Sequence, residues 1–272
     1  KSTNSVEVSI DNNFICFTPT NTKPKKGFIL YPAAKVDAKA YSQICSMIAS
    51  KGYKVVAVDM PFNYPLFGKN KADEVIKKYS DIESWVIGGD SLGGFVATRY
   101  VNSNISKIDG VVLISSYPLD SYLKEINMNV LSIWGSKDGV INFQSLIDAK
   151  QKLPNKTTYT EIEGANHSQF GDYGTYKSDE QALINADAQK QKHQYTEILK
   201  HLPYRRISVP QASGTFQKLC RHRIGKQDSA GDQHHRISIK LLHQKAAGHQ
   251  IKPQAGKHRP DHPPGCSHPW RS

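Results

Sequence analysis

The chain has 272 residues, a formal net charge of +12 and 38% hydrophobic residues. This length suits one large α/β domain, or a domain followed by a tail. No run of about 18 apolar residues is present, so no segment of the sequence has the character of a membrane-spanning helix. Four cysteines without C-x-x-C spacing exclude a disulfide scaffold.

Positive charge is concentrated in the last quarter of the sequence. Residues 204–272 contain 13 Lys and Arg against three Asp, together with eight of the 11 His. We therefore predict an ordered domain over 1–203 and a basic His/Pro/Gln-rich tail over 204–272, disordered or non-native. Such a tail could attract polyanions, but its composition indicates no specific nucleic-acid partner. Four tail residues could be considered as zinc ligands, but their spacing fits no closed structural site: Cys220, His222, His234 and His235.

Residues 1–203 alternate between strand and helix patterns. Apolar runs bounded by turn residues predict strands at 6–10, 14–18, 27–31, 53–60, 85–87, 110–117, 129–135 and 157–164. Helical periodicity predicts helices over 40–50, 72–82, from Leu92 onward, over 143–153 and between Asp179 and Leu202. Strands that alternate with helices predict a mainly parallel sheet with helices on both faces.

One strand-to-helix junction carries a motif of known chemistry. The stretch WVIGGDSLGGFVATRY contains Gly89-Asp90-Ser91-Leu92-Gly93, a match to G-x-S-x-G. In a tight turn this pattern places the serine in a strained conformation, and side chains on the flanking glycines would clash with nearby backbone. The motif alone is weak, because a chain of this length contains it by chance roughly one time in ten.

A nucleophilic serine needs an imidazole base, which a carboxylate orients. Asp138 follows a predicted strand in LSIWGSKDGVI, and His167 follows the next one in EIEGANHSQFGDYG. His167 is also the only histidine within residues 1–192. We predict Ser91 as nucleophile, Asp138 as acid and His167 as base. The alternatives are a serine that only forms the turn, an aspartate that caps a helix and a histidine bonded to the backbone.

The oxyanion hole of such a site consists of two backbone N–H groups. One should come from Leu92, the residue after the nucleophile. The other should come from the loop after the strand at 27–31, where Pro32 has no N–H to donate. We choose Ala34 first and Ala33 second.

Five blocks of sequence together resemble one family: YPAAKVDAKAY, VDMPFNYPLF, WVIGGDSLGG, LSIWGSKDGV and IEGANHSQFGDYG. They are similar to the bacterial α/β-hydrolase family of small, lidless, esterase-like proteins with a dienelactone-hydrolase-like core. The resemblance implies the α/β-hydrolase fold without a large cap domain, the same three catalytic residues and no cofactor. Members of the family often carry an N-terminal anchor or signal segment. The resemblance therefore favours an extracytoplasmic or membrane-anchored location, with the anchor in a segment before Lys1.

Two positions depart from the family pattern, which favours His at Asp90 and Gly at Ala33. We expect Asp90 to lie at the mouth of the pocket, where its charge opposes the developing oxyanion. Replacing Asp90 by Asn should then raise kcat/KM about tenfold. The side chain of Ala33 could narrow the loop after the strand at 27–31, which we call the oxyanion loop.

The sequence thus predicts a serine hydrolase that cleaves a carboxylic ester through an acyl-enzyme. About a dozen residues separate Tyr117 from Asn129, too few for a helical cap, so we expect an open site and a small or surface-presented ester. Three aromatic residues are candidates for lining the substrate pocket: Tyr64, Phe67 and Phe170. The alternatives are a non-catalytic or weakly active binding protein on the same fold, and a polyanion-binding protein that acts through its tail.

Overall fold

A computed structural model describes residues 5–11 and 13–191. Its centre is an eight-stranded sheet with the order β1–β2–β4–β3–β5–β6–β7–β8. The strands are β1 (Val6–Asp11), β2 (Phe14–Pro19), β3 (Lys26–Tyr31), β4 (Lys54–Val58), β5 (Ser84–Asp90), β6 (Gly110–Ile114), β7 (Asn129–Gly135) and β8 (Thr157–Ile162). Strand β2 runs antiparallel to both of its neighbours, and β3 to β8 are parallel. The predicted mainly parallel sheet is therefore confirmed.

In the described residues, four α-helices lie between strands and a fifth follows β8. They are α1 (Ser42–Ala49), α2 (Lys71–Lys78), α3 (Leu92–Ser103), α4 (Phe143–Ala149) and α5 (Ala186–Gln191). Two are shorter than predicted because one end is a 3₁₀ turn: Ala38–Tyr41 precedes α1, and Lys150–Lys152 follows α4. The predicted continuation of the last helix lies outside the described residues, as do the boundary at 203 and the basic tail.

Successive side chains of a strand point to opposite faces of the sheet, so the core has two parts, one on each face. Phe28 and Leu30 of β3 belong to one buried cluster, whereas Ile29 and Tyr31 belong to the other. The first cluster includes Ile44 and Ile48 of α1, and the second includes residues of α2 and α3: Ala72, Val75, Val96, Ala97, Tyr100 and Val101. Helices thus cover both faces, as the sequence predicts.

Because β3 to β8 are parallel, their carboxyl ends meet at one edge of the sheet, where α/β proteins bind their ligands. The link from β6 to β7, residues 115–128, contains neither a helix nor a strand, so no cap covers this edge there. Strand β6 ends three residues earlier than predicted, because Ser115 turns the chain out of the sheet with a φ of 43°. In the described ranges, no helix is long and apolar enough to cross a bilayer.

Candidate active site

Ser91 is the single residue between the end of β5 and the start of α3. Its backbone has φ 51° and ψ −118°, a conformation that side chains disfavour and that typically costs about 1–3 kcal/mol. The residue is partly exposed at the carboxyl edge of the sheet. The strained turn that the motif predicts is therefore present, with the serine at its tip.

The glycines of the motif allow a close approach between this turn and the loop after β3. A Cβ atom on Gly89 would lie 2.4 Å from the Gly93 carbonyl carbon, and one on Gly93 would lie 2.3 Å from the carbonyl oxygen of Pro32. No side chain fits at such distances. The start of α3 therefore rests directly against the loop that holds the predicted oxyanion donors.

Strand β6 fixes the other side of the serine turn. The Ser91 N–H donates to the Ile114 carbonyl oxygen (2.9 Å), and the Ser116 hydroxyl donates to the Ser91 carbonyl oxygen (2.6 Å). Sequence reasoning did not identify Ser116, because nothing in the motif marks a hydroxyl that lies 25 residues further along the chain.

Asp138 and His167 form a buried pair in the loops after β7 and β8. The His167 Nδ1 lies 3.0 and 2.9 Å from the two carboxylate oxygens of Asp138, and both side chains are at most 1% exposed. Asp138 also accepts hydrogen bonds from the backbone N–H groups of Val140 (2.9 Å) and Ile141 (2.8 Å). A carboxylate so placed keeps the proton on Nδ1 and leaves Nε2 as the basic nitrogen.

The electrostatics of the pair favour its charged forms. Burial alone would raise the pKa of Asp138, but the hydrogen bond and the charge of His167, with the Ile141 N–H, lower it. Burial would likewise lower the pKa of His167, but Asp138, Asp90 and then Asp179 raise it above the ordinary histidine value. Within the described part of the chain, the buried Nε2 of His167 has no hydrogen-bond partner. It is therefore free to accept a proton.

Asp179 joins the loop of the acid to the loop of the base. Its Oδ1 accepts from the N–H groups of Gly139 (3.0 Å) and His167 (3.3 Å), and its Oδ2 accepts from the N–H (2.8 Å) and the hydroxyl (2.7 Å) of Ser168. This clamp was missed from the sequence, because an aspartate in a polar loop carries no signal of such a role.

Helix α5 holds the residue before the base. The buried side-chain amide of Gln189 accepts from the Asn166 N–H (3.1 Å) and donates to the Asn166 carbonyl oxygen (2.8 Å). The Asn166 side chain in turn donates to the Glu180 carbonyl oxygen (2.8 Å). His167 is thus fixed from both sides of its loop.

The three predicted oxyanion donors differ in whether their N–H groups already have a hydrogen-bond acceptor. Leu92 is the first residue of α3, where a backbone N–H has no partner within the helix. The Ala34 N–H likewise donates to no group among the described residues. The prediction of Ala33 was wrong, because its N–H already donates to the buried hydroxyl of Tyr41 (3.0 Å). Leu92 and Ala34 remain the predicted donors.

Comparison with known proteins assigns this sequence to a family. Residues 27–191 match the alpha/beta hydrolase family. The chain belongs to this family. No curated protein matches the sequence closely enough to suggest a more specific identity.

Two solved structures show that the fold of this alpha/beta hydrolase recurs in distant proteins. One is described as a predicted CIB-like hydrolase from Thermoplasma acidophilum, with TM-score 0.54 and 17% identity, covering 72% of this chain and 98% of that one. Another is Est1E from Butyrivibrio proteoclasticus with ferulic acid bound, with TM-score 0.55 and 11% identity, covering 73% of this chain and 96% of that one. At such identities the likeness shows the fold.

Two of the three aromatic residues predicted to line the hydrolase pocket lie together after β4. The rings of Tyr64 and Phe67 are 5.8 Å apart, and Phe62, which we had not selected, lies 6.0 Å from Phe67. Phe62 is 90% exposed and Phe67 66%. The Lys35 N–H donates to the Asn63 carbonyl oxygen (2.7 Å), which attaches this aromatic loop, residues 62–67, to the oxyanion loop.

Phe170 does not line the pocket of the hydrolase. It is 0% exposed and belongs to the buried cluster on the α1 face of the sheet. Its side chain, close in sequence to the base, packs into the core because the turn Ser168–Phe170 directs it inward. The prediction for this residue was wrong.

Asp90 is likewise not at the mouth of the pocket. It is the last residue of β5, is 0% exposed and accepts hydrogen bonds from the hydroxyls of Tyr41 (2.7 Å) and Tyr173 (2.9 Å). The predicted position was wrong because Asp90 still pairs with Ile114 in the sheet, and its side chain is enclosed rather than carried into the turn. The gain in kcat/KM expected for Asp90→Asn therefore loses its basis. Over the described ranges, no group of three or more His, Cys, Asp and Glu residues could hold a metal ion.

Proposed function

We propose that this hydrolase cleaves carboxylic esters through an acyl-enzyme, with Ser91 as nucleophile, His167 as base and Asp138 as the acid that orients it. The observation that carries the proposal is the buried Asp138–His167 pair, with its unpartnered Nε2, at the sheet edge where the strained Ser91 stands. A solvated loop pair would have no need of a fixed tautomer or of a free basic nitrogen.

The geometry supports a two-step reaction. In the first step His167 Nε2 takes the proton of the Ser91 hydroxyl as its oxygen attacks the ester carbonyl carbon. The N–H groups of Leu92 and Ala34 donate to the oxyanion, and the positive end of α3 adds to their effect. The imidazolium then protonates the leaving alcohol. In the second step His167 takes a proton from water as the water oxygen attacks the acyl carbon, and it returns that proton to the Ser91 oxygen as the acid is released.

The surroundings of the site suggest the class of ester. We propose that this chain is a small, lidless, esterase-like member with a dienelactone-hydrolase-like core, and the lack of a helix or strand in residues 115–128 supports the absence of a cap. The aromatic loop offers exposed rings beside the oxyanion loop, which suits an apolar group on a small or surface-presented ester.

A fluorophosphonate probe tests this proposal directly, because it forms a covalent bond only with an activated serine. We expect the wild type to be labelled and to hydrolyse p-nitrophenyl esters, with the fastest cleavage where the acyl group is apolar. Ser91→Ala should lose labelling and lower kcat by about 10⁵- to 10⁶-fold. Ser42→Ala, which removes an exposed hydroxyl bound to the Lys39 carbonyl, should behave as wild type.

The outcomes separate the competing interpretations. A wild type that neither takes the label nor hydrolyses any ester of the series would indicate a binding protein on the same fold. Labelling that persists in Ser91→Ala would show that another serine is the nucleophile.

A further inference from the structure

Asp90, next to the proposed nucleophile, is a buried carboxylate that the reaction described above does not use. Its Oδ2 accepts the hydroxyls of Tyr41 and Tyr173, at 2.7 and 2.9 Å. Its Oδ1 is buried and has no hydrogen-bond partner among the described residues. A buried carboxylate is costly, so two hydroxyls that converge on a single oxygen point to a specific role.

Tyr41 connects Asp90 to the oxyanion loop. Its fully buried hydroxyl donates to Asp90 and accepts from the Ala33 N–H (3.0 Å). The Ala33 carbonyl carbon is bonded to the Ala34 nitrogen, the second proposed oxyanion donor. The position of that donor therefore depends on a chain of two hydrogen bonds that ends at Asp90.

Tyr173 connects Asp90 to the base. Its hydroxyl lies 2.9 Å from Asp90 Oδ2 and 3.1 Å from the carbonyl oxygen of His167. Its ring lies 5.9 Å from that of Tyr41 and 5.7 Å from that of Tyr176, which lies 5.5 Å from the His167 imidazole. The single hydrogen of the Tyr173 hydroxyl is shared between the Asp90 and His167 oxygens, and together with the packed rings it holds the base loop against the same carboxylate.

The identity of the residue fits this double contact. One carboxylate oxygen can accept two hydroxyl hydrogens, and its negative charge strengthens both hydrogen bonds. Asp90 is also rigidly placed, since its backbone pairs with Ile114 at the end of β5. Ser91 follows directly, so nucleophile and carboxylate share one fixed strand end.

We propose that Asp90 is a positioning residue of the ester-cleaving site. It holds the oxyanion loop through Tyr41 and the base loop through Tyr173, and its negative charge stabilises the imidazolium that forms when Ser91 is deprotonated. The inference rests on the proposed function, since it assigns a role within the same reaction.

Electrostatic effects agree with the geometry. Burial raises the pKa of Asp90, against the charge of His167 and the hydroxyls of Tyr41 and Tyr173, which lower it. Conversely, Asp90 helps to raise the pKa of His167. The titratable groups that face these two residues from the surrounding loops are Tyr41, Asp138, Tyr173, Tyr176 and Asp179.

The test compares Asp90→Asn, Tyr41→Phe and Tyr173→Phe with a matched control. Tyr100→Phe removes a hydroxyl that donates to Asp73 at 2.7 Å, in the last turns of α3 and away from the site. Each of the three site variants should lower kcat by about tenfold or more, because small displacements of catalytic groups are costly. KM should change by less than about threefold, since uniform substrate binding is left in place. Tyr100→Phe should keep wild-type kcat.

A pH profile separates positioning from a loss of stability. The reaction needs neutral His167, and Asp90 raises the pKa of that residue, so removing the charge should move the acidic limb of kcat/KM to lower pH in Asp90→Asn. The limb should stay in place in Tyr100→Phe. In the double variant Asp90→Asn/Tyr41→Phe, the loss of kcat should be smaller than the product of the single losses, because both changes break one chain of contacts.

An Asp90→Asn enzyme with wild-type or higher kcat and an unmoved acidic limb would overturn the inference. If Asp90→Asn does not fold, Tyr41→Phe and Tyr173→Phe, which each remove one oxygen, decide the question by their kcat. These outcomes require an active wild type, so they are distinct from a failure of the proposed function, in which the wild type itself does not take the fluorophosphonate.

Discussion

The two edges of the sheet differ in which residue types adopt a positive φ. Five residues other than glycine have a positive φ in the described part of the chain, and all lie in loops that leave the carboxyl ends of β3 to β6: Lys35, Phe62, Asn63, Ser91 and Ser115. At the amino edge, the left-handed position before β4 is Gly52. The chain uses glycine where only a turn is needed, and it accepts strain where a side chain must be presented.

Buried charges at the proposed site contrast with an exposed ion pair at the amino edge, where Lys54 and Ser84 are nonetheless buried at 9% and 6% exposure. Asp90, Asp138 and His167 are all at most 1% exposed, and all lie at the carboxyl edge. At the amino edge, by contrast, the Lys25–Glu83 ion pair is about half exposed. The residues of the proposed site thus combine buried charge with strained backbone, a combination that costs stability. Three measurements can break or sharpen this contrast.

The largest effect should come from Asp138→Asn, which keeps the shape of the acid but removes its charge. An amide can present its NH₂ group to Nδ1 and so favours the wrong histidine tautomer, and kcat should fall by about 10³- to 10⁴-fold. Glu161→Gln is the matched control. Glu161 lies on β8, outside the site, and accepts a hydrogen bond from the indole N–H of Trp134 (2.9 Å). Steady-state kinetics that showed less than a tenfold loss for Asp138→Asn would exclude this aspartate as the acid.

A smaller effect is expected from Asp179→Ala. The change leaves four backbone N–H groups without their acceptor, those of Gly139, His167, Ser168 and Glu180. It also frees the loop of His167 from that of Asp138, so kcat should fall about 10- to 100-fold. The neighbouring Glu180→Gln removes only an exposed ion pair with Lys137 and should have little effect. Equal activity of the two variants would show that Asp179 does not hold the base loop.

The smallest effect, of about 1 kcal/mol, concerns strain itself. Ser91→Gly should abolish hydrolysis but raise the free energy of unfolding, because glycine adopts φ 51° at little cost. Gly52→Ala should lower that free energy, because alanine at φ 94° is strained although nearby atoms leave room for its methyl group. Urea unfolding measures both. Changes of the same sign would contradict the contrast between the edges.

The fold and the triad candidates were predictable because they depend on local patterns and chain order. Strand β7 was predicted to the residue, and Ser91, Asp138 and His167 were found because each follows a strand of a parallel sheet. That arrangement brings residues distant in sequence to one edge, whatever the details of packing.

What the sequence did not reveal depends on the direction of side chains. Asp90 was placed at the pocket mouth because its neighbour Ser91 is there, yet the last position of a strand can point into the core. The side chain of Phe170 also points into the core, and the Ala33 N–H is occupied because the Tyr41 hydroxyl points toward it. Tyr41 and Tyr173 lie 49 and 83 residues from Asp90, and no local pattern announces contacts over such separations.

The two hydrogen bonds between Gln189 and Asn166 have a consequence for synthesis on the ribosome. The whole sheet has been translated once β8 has emerged, so the strands can pair and the serine turn can form. The loop of the base lacks its anchor until α5 follows. A nascent chain thus acquires its sheet before His167, the proposed general base, is held in place, and the proposed ester cleavage should appear only after translation has passed Gln189.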